Sequence, residues 1–221
     1  MFRKIISKIS SRLVQHPSLR DEILDRTMRL ISRFGLEGGD YLEFGVDQGK
    51  SFASAYSIAQ RHNLTAMRFY AFDSFKGLPP IEGVDQEVGQ FKEGEYSCSE
   101  PQFLGNIKNK GVDLSKVITV PGWYHESLNK ATKKKLKIKS AAVIWIDCDL
   151  YESTVPVLDF ITDYVVDGTI IIFDDWFCFR GSPKRGEQRA FREWLSRNPV
   201  ITASEYYKHG FYGNSFILHR D

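Results

Sequence analysis

Apolar positions fall into two periodicities along the chain, and their alternation predicts strands interleaved with helices. Ser18 and Asp21 have the spacing of a helix N-cap, and Leu19, Ile23, Leu24, Leu30 and Ile31 continue with helical spacing until Gly35. Short apolar runs follow at Tyr41–Phe44, Arg68–Phe72 and Lys116–Val120. Ala141–Ile146 and Thr169–Phe173 are continuously apolar, as strands buried on both faces are. Two late strands are predicted near Ala203–Lys208 and Ser215–His219. Helices are predicted between them at Ser51–Arg61, around Thr154–Val165 and at Arg185–Ser196. Repeated βα units predict an α/β fold with a doubly wound, mostly parallel seven-stranded sheet. With no linker or repeat, the reading is a helical extension over residues 1–36 and one domain over 37–221. The 78–106 stretch lacks periodicity and reads as a lid or as a surface excursion.

Composition narrows the class. The 30 Lys and Arg against 28 Asp and Glu leave a net charge of +2, too little basic excess for a dedicated nucleic-acid binder. Cys98, Cys148 and Cys178 are far apart and form no metal-binding or disulfide pattern, which suits a reducing cytoplasm. No apolar run has the length of a transmembrane span. Over residues 1–15, Phe2, Ile5, Ile6, Ile9 and Leu13 recur at helical spacing among Arg3, Lys4, Lys8 and Arg12. That stretch reads either as a weak peripheral membrane contact or as a helix packing on the domain, on a partner subunit or over the substrate, and a homo-oligomer is compatible with it.

Ligands of such sheets bind beyond the carboxyl ends of the strands, so the residues there carry the functional reading. Glu43-Phe44-Gly45 through Gly49-Lys50-Ser51 joins the first strand to its helix. The glycines let backbone approach a ligand, and the helix start offers free N–H groups. Neither G-x-G-x-x-G nor a P-loop is present, since Phe44 stands where the latter needs glycine. Asp73, followed by Ser74, ends the second strand, where an acid accepts hydrogen bonds from ribose hydroxyls. Gly122-Trp123-Tyr124-His125 follows the third strand and would lie beside a base.

Two acidic clusters end the next strands: Asp147, Asp149 and Glu152, then Asp174 and Asp175. Carboxylates crowded at one edge repel unless a cation or specific donors compensate, and oxygen-only ligands favour a hard ion such as Mg2+. The competing reading is helix capping by Asp149, Glu152 or Asp175. Trp176, Phe177, Phe179 and Tyr124 are candidates to stack on an acceptor, or core residues.

These segments, with Phe72-Asp73-Ser74-Phe75-Lys76-Gly77 and Asp147-Cys148-Asp149-Leu150-Tyr151-Glu152-Ser153-Thr154, resemble the macrocin O-methyltransferase family from about Tyr41 to Leu195. The resemblance implies a Rossmann-like class I methyltransferase that uses S-adenosylmethionine and Mg2+ to methylate a small-molecule or glycan hydroxyl, a sugar hydroxyl above all. It implies that Glu43, Gly45, Gly49 and Ser51 hold the methionine end of the cofactor, and Asp73 with Ser74 its ribose. Gly122, Trp123, Tyr124 and His125 would surround the adenine. Asp147, which also borders the cofactor, would ligate the metal with Asp174 and Asp175. A more distant likeness is to catechol O-methyltransferase, whose lysine three residues past the first metal ligand is here Leu150. That departure makes Asp149 the expected general base. A phenolic acceptor, or a cofactor-binding module without turnover, are the alternative readings.

Overall fold

The structure, a computed structural model, describes residues 18–36, 38–88 and 91–220, so the amphipathic stretch over 1–15 lies outside the described residues. Its elements in chain order are α1 (Leu19–Phe34), β1 (Asp40–Phe44), α2 (Lys50–Arg61), β2 (Phe69–Asp73), α3 (Glu100–Asn109), β3 (Val117–Pro121), α4 (Tyr124–Ser127), α5 (Lys130–Leu136), β4 (Ala141–Ile146), α6 (Tyr151–Ile161), β5 (Val165–Phe173), α7 (Gly186–Arg197), β6 (Ile201–His209) and β7 (Gly213–Arg220). The strands make one seven-stranded sheet in the order β3-β2-β1-β4-β5-β7-β6. β1 to β5 run parallel; β7 pairs antiparallel with β5 and with β6. The sheet is the expected doubly wound one.

The period of two along each strand divides the core between the faces. Tyr41, Phe69, Ala71, Val143, Trp145, Ile170 and Ile172 pack with Ile23, Leu24, Met28 and Ile31 of α1 and Phe52, Ala55 and Ile58 of α2. Their neighbours Leu42, Phe44, Tyr70, Phe72, Ile144, Ile146, Ile171 and Phe173 pack on the other face with Val157, Leu158 and Ile161 of α6 and Phe191 and Trp194 of α7. α1 begins where the cap pattern places it: the Asp21 amide donates to Ser18 Oγ at 3.1 Å, and Gly35 closes the helix in the left-handed region at φ +71°.

One expectation is corrected. The helix expected around Thr154–Val165 begins at Tyr151 and ends at Ile161, and Val165 already opens β5. Its start is set by a distant group rather than a local cap: Asp85 accepts from the Tyr151 and Glu152 amides, both at 3.0 Å. The aperiodic 78–106 stretch holds a 3-10 turn at Gly83–Val88 and the first turns of α3. α3 is opened by a capping box in which Ser99 N–H donates to the Gln102 side chain at 3.1 Å. Among the described residues no helix is long and apolar enough to cross a membrane.

Candidate active site

Hydrogen bonds of the parallel ladder run one residue past each strand and set the site residues side by side. Gly122 N–H donates to Asp73 O, Gly45 N–H to Phe72 O, Asp147 N–H to Phe44 O and Asp174 N–H to Ile146 O, each at 2.9 Å. Across the sheet edge the order is therefore Gly122, Asp73, Gly45, Asp147, Asp174. Above this edge lies a cavity of about 800 Å³. Its lining includes Gly45, Ser51, Asp73, Ser74, Gly122, Trp123, Tyr124, His125, Asp147, Asp149, Asp174 and Asp175, so the structure brings most of the expected residues together.

Glu43 and Gly49 are not among the lining residues. Glu43 is fully buried below the floor, where Tyr41 Oη donates to it at 2.5 Å and Ser51 Oγ at 2.6 Å. Burial, only partly offset by these donors, pushes its carboxyl up to about 7. Gly49 is the N-cap of α2 at φ +76°, and a β-carbon there would collide with Ile107 and Phe103 of α3. Its part is to let α3 approach the turn.

The Gly45 side of the cavity combines a helix start, a carboxylate and aromatic rings. α2 begins at the cavity with Lys50 and Ser51 in the lining and no side chain capping its first amides. Asp73 fastens the turn: Oδ2 accepts from Val46 N–H at 2.8 Å and Asp47 N–H at 3.4 Å and Oδ1 from Phe75 N–H at 2.7 Å, which leaves Oδ1 a further lone pair for a hydroxyl. Ser74 Oγ donates to Gly77 O at 2.8 Å. Tyr124 Oη donates to Phe72 O at 3.2 Å, and its ring meets Phe44 edge-on, which leaves Trp123 and His125 beside the cavity.

The acidic side is electrostatically crowded. Burial, then repulsion from Asp174 and Asp175, holds Asp147 well above the usual carboxylate range. Burial and the neighbouring Asp175 do the same to Asp149. Burial also pushes Asp174 up, but His209 and Arg20 outweigh it and hold this group low. Asp149 carries its carboxyl on strained backbone: φ is +59°, and Leu150 N–H reaches back to Cys148 O at 2.6 Å in a three-residue turn. The capping reading is excluded for Asp149 and Glu152, because Asp85 performs that task.

Among the described residues no three His, Cys, Asp or Glu side chains are grouped around one metal point. Arg20 stands at this cluster, with its Nη2 2.5 Å from Asp174 Oδ2 and 3.8 Å from Asp147 Oδ2. A guanidinium compensates the repulsion that an ion otherwise would. The donor chemistry itself fits a hard divalent cation: the groups are all carboxylate oxygens, and Asp175 Oδ2 is buried without a hydrogen-bond partner.

Several contributors escaped the sequence reading. Asp85 and the half-exposed Tyr96, both in the lining, lie in the aperiodic stretch. Glu187 at the start of α7 accepts from Asp175 N–H at 3.2 Å, and buried His209 stands 3.8 Å from Asp174 Oδ1. For Arg20 the sequence did hold a signal, a charge three and four residues before Ile23 and Leu24 on the apolar face of α1. Conversely, Trp176 and Phe179 are buried and, with Phe177, absent from the lining. Trp176 packs on Phe173, Phe191 and Phe216.

A 4'-O-methyltransferase of Streptomyces olivaceus, acting on 8-demethyl-8-(2,3-dimethoxy-alpha-L-rhamnosyl)-tetracenomycin-C, is 32% identical over 143 residues, 62% of this chain and 53% of the relative. Demethyldecarbamoylnovobiocin O-methyltransferase of Streptomyces niveus is 30% identical over 144 residues, again 62% and 53% of the two chains. The chain thus spans about half the length of the curated relatives it matches. The solved structure of the O-methyltransferase NovP shares the fold with a TM-score of 0.74 at 24% identity, covering 91% of this chain and 80% of that one. The profile described as macrocin-O-methyltransferase (TylF) matches residues 19–197, and the chain belongs to that family.

Proposed function

We propose that the protein transfers the methyl group of S-adenosylmethionine to a hydroxyl of a sugar carried by a small molecule or glycan, with Asp149 as general base and Mg2+ held by Asp147, Asp174 and Asp175. The observation that carries the reading is the shared cavity: one space is lined at one end by the Gly45 turn, Asp73 and Gly122–His125, and at the other by four aspartates. Its volume, about 800 Å³, suits a nucleoside cofactor together with an acceptor. The sugar as acceptor rests on the two Streptomyces relatives, whose names specify glycosylated natural products.

Free amides at the start of α2, with Ser51, bind the carboxylate end of the cofactor, and Asp73 its ribose hydroxyls. Trp123 and His125 flank the adenine. When bound, Mg2+ would supply charge that orients the acceptor hydroxyl and lowers its pKa. Asp149 takes the hydroxyl proton as the oxygen–methyl bond forms and the carbon–sulfur bond breaks, leaving S-adenosylhomocysteine and a methyl ether. The strained turn fixes the Asp149 carboxyl beside the acceptor, so that alignment rather than covalent participation supplies the acceleration.

The test is transfer of labelled methyl groups from S-adenosylmethionine to glycosylated and phenolic acceptors, with and without EDTA. Labelled product on a sugar hydroxyl that disappears with EDTA, and with Asp149→Asn, is the expected result. Turnover unaffected by chelation removes the metal from the mechanism, and product on phenols alone removes the sugar.

A further inference from the structure

Arg20 reaches the acidic cluster from 127 positions before Asp147, on a helix that is held in place without it. Ile23, Leu24, Met28 and Ile31 are fully buried in the sheet-facing core. Tyr207 Oη donates to Glu22 at 2.9 Å, the Arg26 guanidinium stacks 4.6 Å from the Tyr207 ring, and His62 pairs with Asp25 at 2.9 Å. Position 20 lies on the same helical face as Ile23, Leu24 and Thr27, so the docked helix aims this one side chain at the strand ends. There its Nη2 is shared between Asp174 and Asp147. Among the described lining residues the only other Lys or Arg is Lys50.

The Asp147 and Asp174 carboxylates therefore meet a counter-ion in the protein itself, at the place where the function proposed above puts a divalent ion. A divalent ion on the Oδ2 atoms that face Nη2 would lie against the guanidinium, and the two like charges repel. Resting on that reading, we propose that the Arg20 guanidinium and the divalent cation are alternative occupants of the Asp147–Asp174 pair, so that ion binding displaces Arg20 and releases the first turn of α1 from the site. In this arrangement α1 holds the carboxylates together before the ion arrives and opposes premature metal loading. Arg20, 45% exposed at its side chain, has solvent to withdraw into.

The experiment measures Mn2+ binding by electron paramagnetic resonance, with no cofactor or acceptor present, together with thermal melts with and without Mn2+. Wild type is compared with Arg20→Gln, Arg20→Met and Arg20→Lys. Removing the charge should tighten Mn2+ binding about tenfold, whereas Arg20→Lys should stay within about threefold of wild type. Arg20→Gln and Arg20→Met should melt lower than wild type without Mn2+ and gain more from it. The aliphatic Arg20→Met variant keeps stem packing, and the melts report that each variant is folded. Equal or weaker Mn2+ affinity in the two neutral variants overturns the proposal while leaving the metal reading in place. Absence of Mn2+ binding from wild type and neutral variants alike overturns both.

Discussion

Gly45 and Asp147 touch through their main chains: the place a β-carbon would occupy on Gly45 is already taken by the Asp147 carbonyl oxygen. The ladder draws them together, since Asp147 N–H bonds to Phe44 O and Gly45 N–H to Phe72 O, both at 2.9 Å. The Gly45 turn and the acidic cluster are thus in direct backbone contact.

Gly45→Ala should therefore damage both halves of the site. The substitution places an L side chain at φ +85° and drives it into backbone, not into a side chain that can rotate away. A loss of about 2–4 kcal/mol is expected, a fall in Tm of roughly 5–15 °C for a domain of this size. Urea unfolding and calorimetry of S-adenosylhomocysteine binding check it. A variant of wild-type stability and affinity contradicts the contact.

Asp85 makes a distinct prediction because it acts through the start of α6. Its two oxygens take the Tyr151 and Glu152 amides, and these follow directly on the turn that carries Asp149. Asp85→Ala should cost about 1–2 kcal/mol, as loss of an N-cap does. It should lower kcat more than it raises the KM for S-adenosylmethionine, since the displaced group is the proposed base. Asp85→Asn keeps one acceptor oxygen and should recover part of both effects.

Glu43 gives a pH dependence whose sign follows from its burial. Its folded-state value of about 7 lies above the ordinary 4.5, so the folded protein binds the proton more tightly than the unfolded chain. The associated stability is fully present below about pH 4.5 and is lost as pH rises through about 7, amounting to about 3 kcal/mol. Glu43→Gln, which keeps the size and one acceptor oxygen for the Tyr41 or Ser51 hydroxyl, should remove this component. The difference in unfolding free energy between wild type and variant, measured from pH 5 to pH 8, should move steadily in favour of the variant. A constant difference means that Glu43 does not titrate in this range.

How much of this was legible in the chain depends on whether the signal was local. β4 and the apolar end of β5 announce themselves because parallel strands buried on both faces must be continuously apolar. Asp147 and Asp174 follow from them, because acids just past such strands stand where ligands bind. α1 was readable from Ser18 to Gly35 because its caps are its own residues. α6 was misplaced because its cap, Asp85, comes from 66 positions away. Glu43 and Gly49 were expected against the ligand since motif spacing fixes which strand end a residue occupies, but not whether it faces the cavity or the layer beneath. Arg20 and His209 reach Asp174 from α1 and β6, and only the packing of those elements on the sheet brings them there.

Asp149 carries the last prediction, that activity and stability here oppose each other. The residue sits in the left-handed region at φ +59°, a conformation that costs a non-glycine residue about 1 kcal/mol, although Asp and Asn tolerate it best. Its carboxyl is also buried against Asp175 and held well above the usual carboxylate range by that burial and repulsion. Asp149→Asn keeps the backbone preference and the hydrogen-bonding shape while removing the charge. Asp149→Gly removes the strain as well. Both should unfold at higher urea concentration than wild type at pH 8, Asp149→Gly by about 1–2 kcal/mol, while methyl transfer falls at least about a hundredfold through loss of the base. S-adenosylhomocysteine affinity should be retained in both, which separates loss of chemistry from loss of the site. If the variants are instead destabilised and bind the cofactor poorly, Asp149 is a structural anchor of the turn, and the base must be sought elsewhere on this edge.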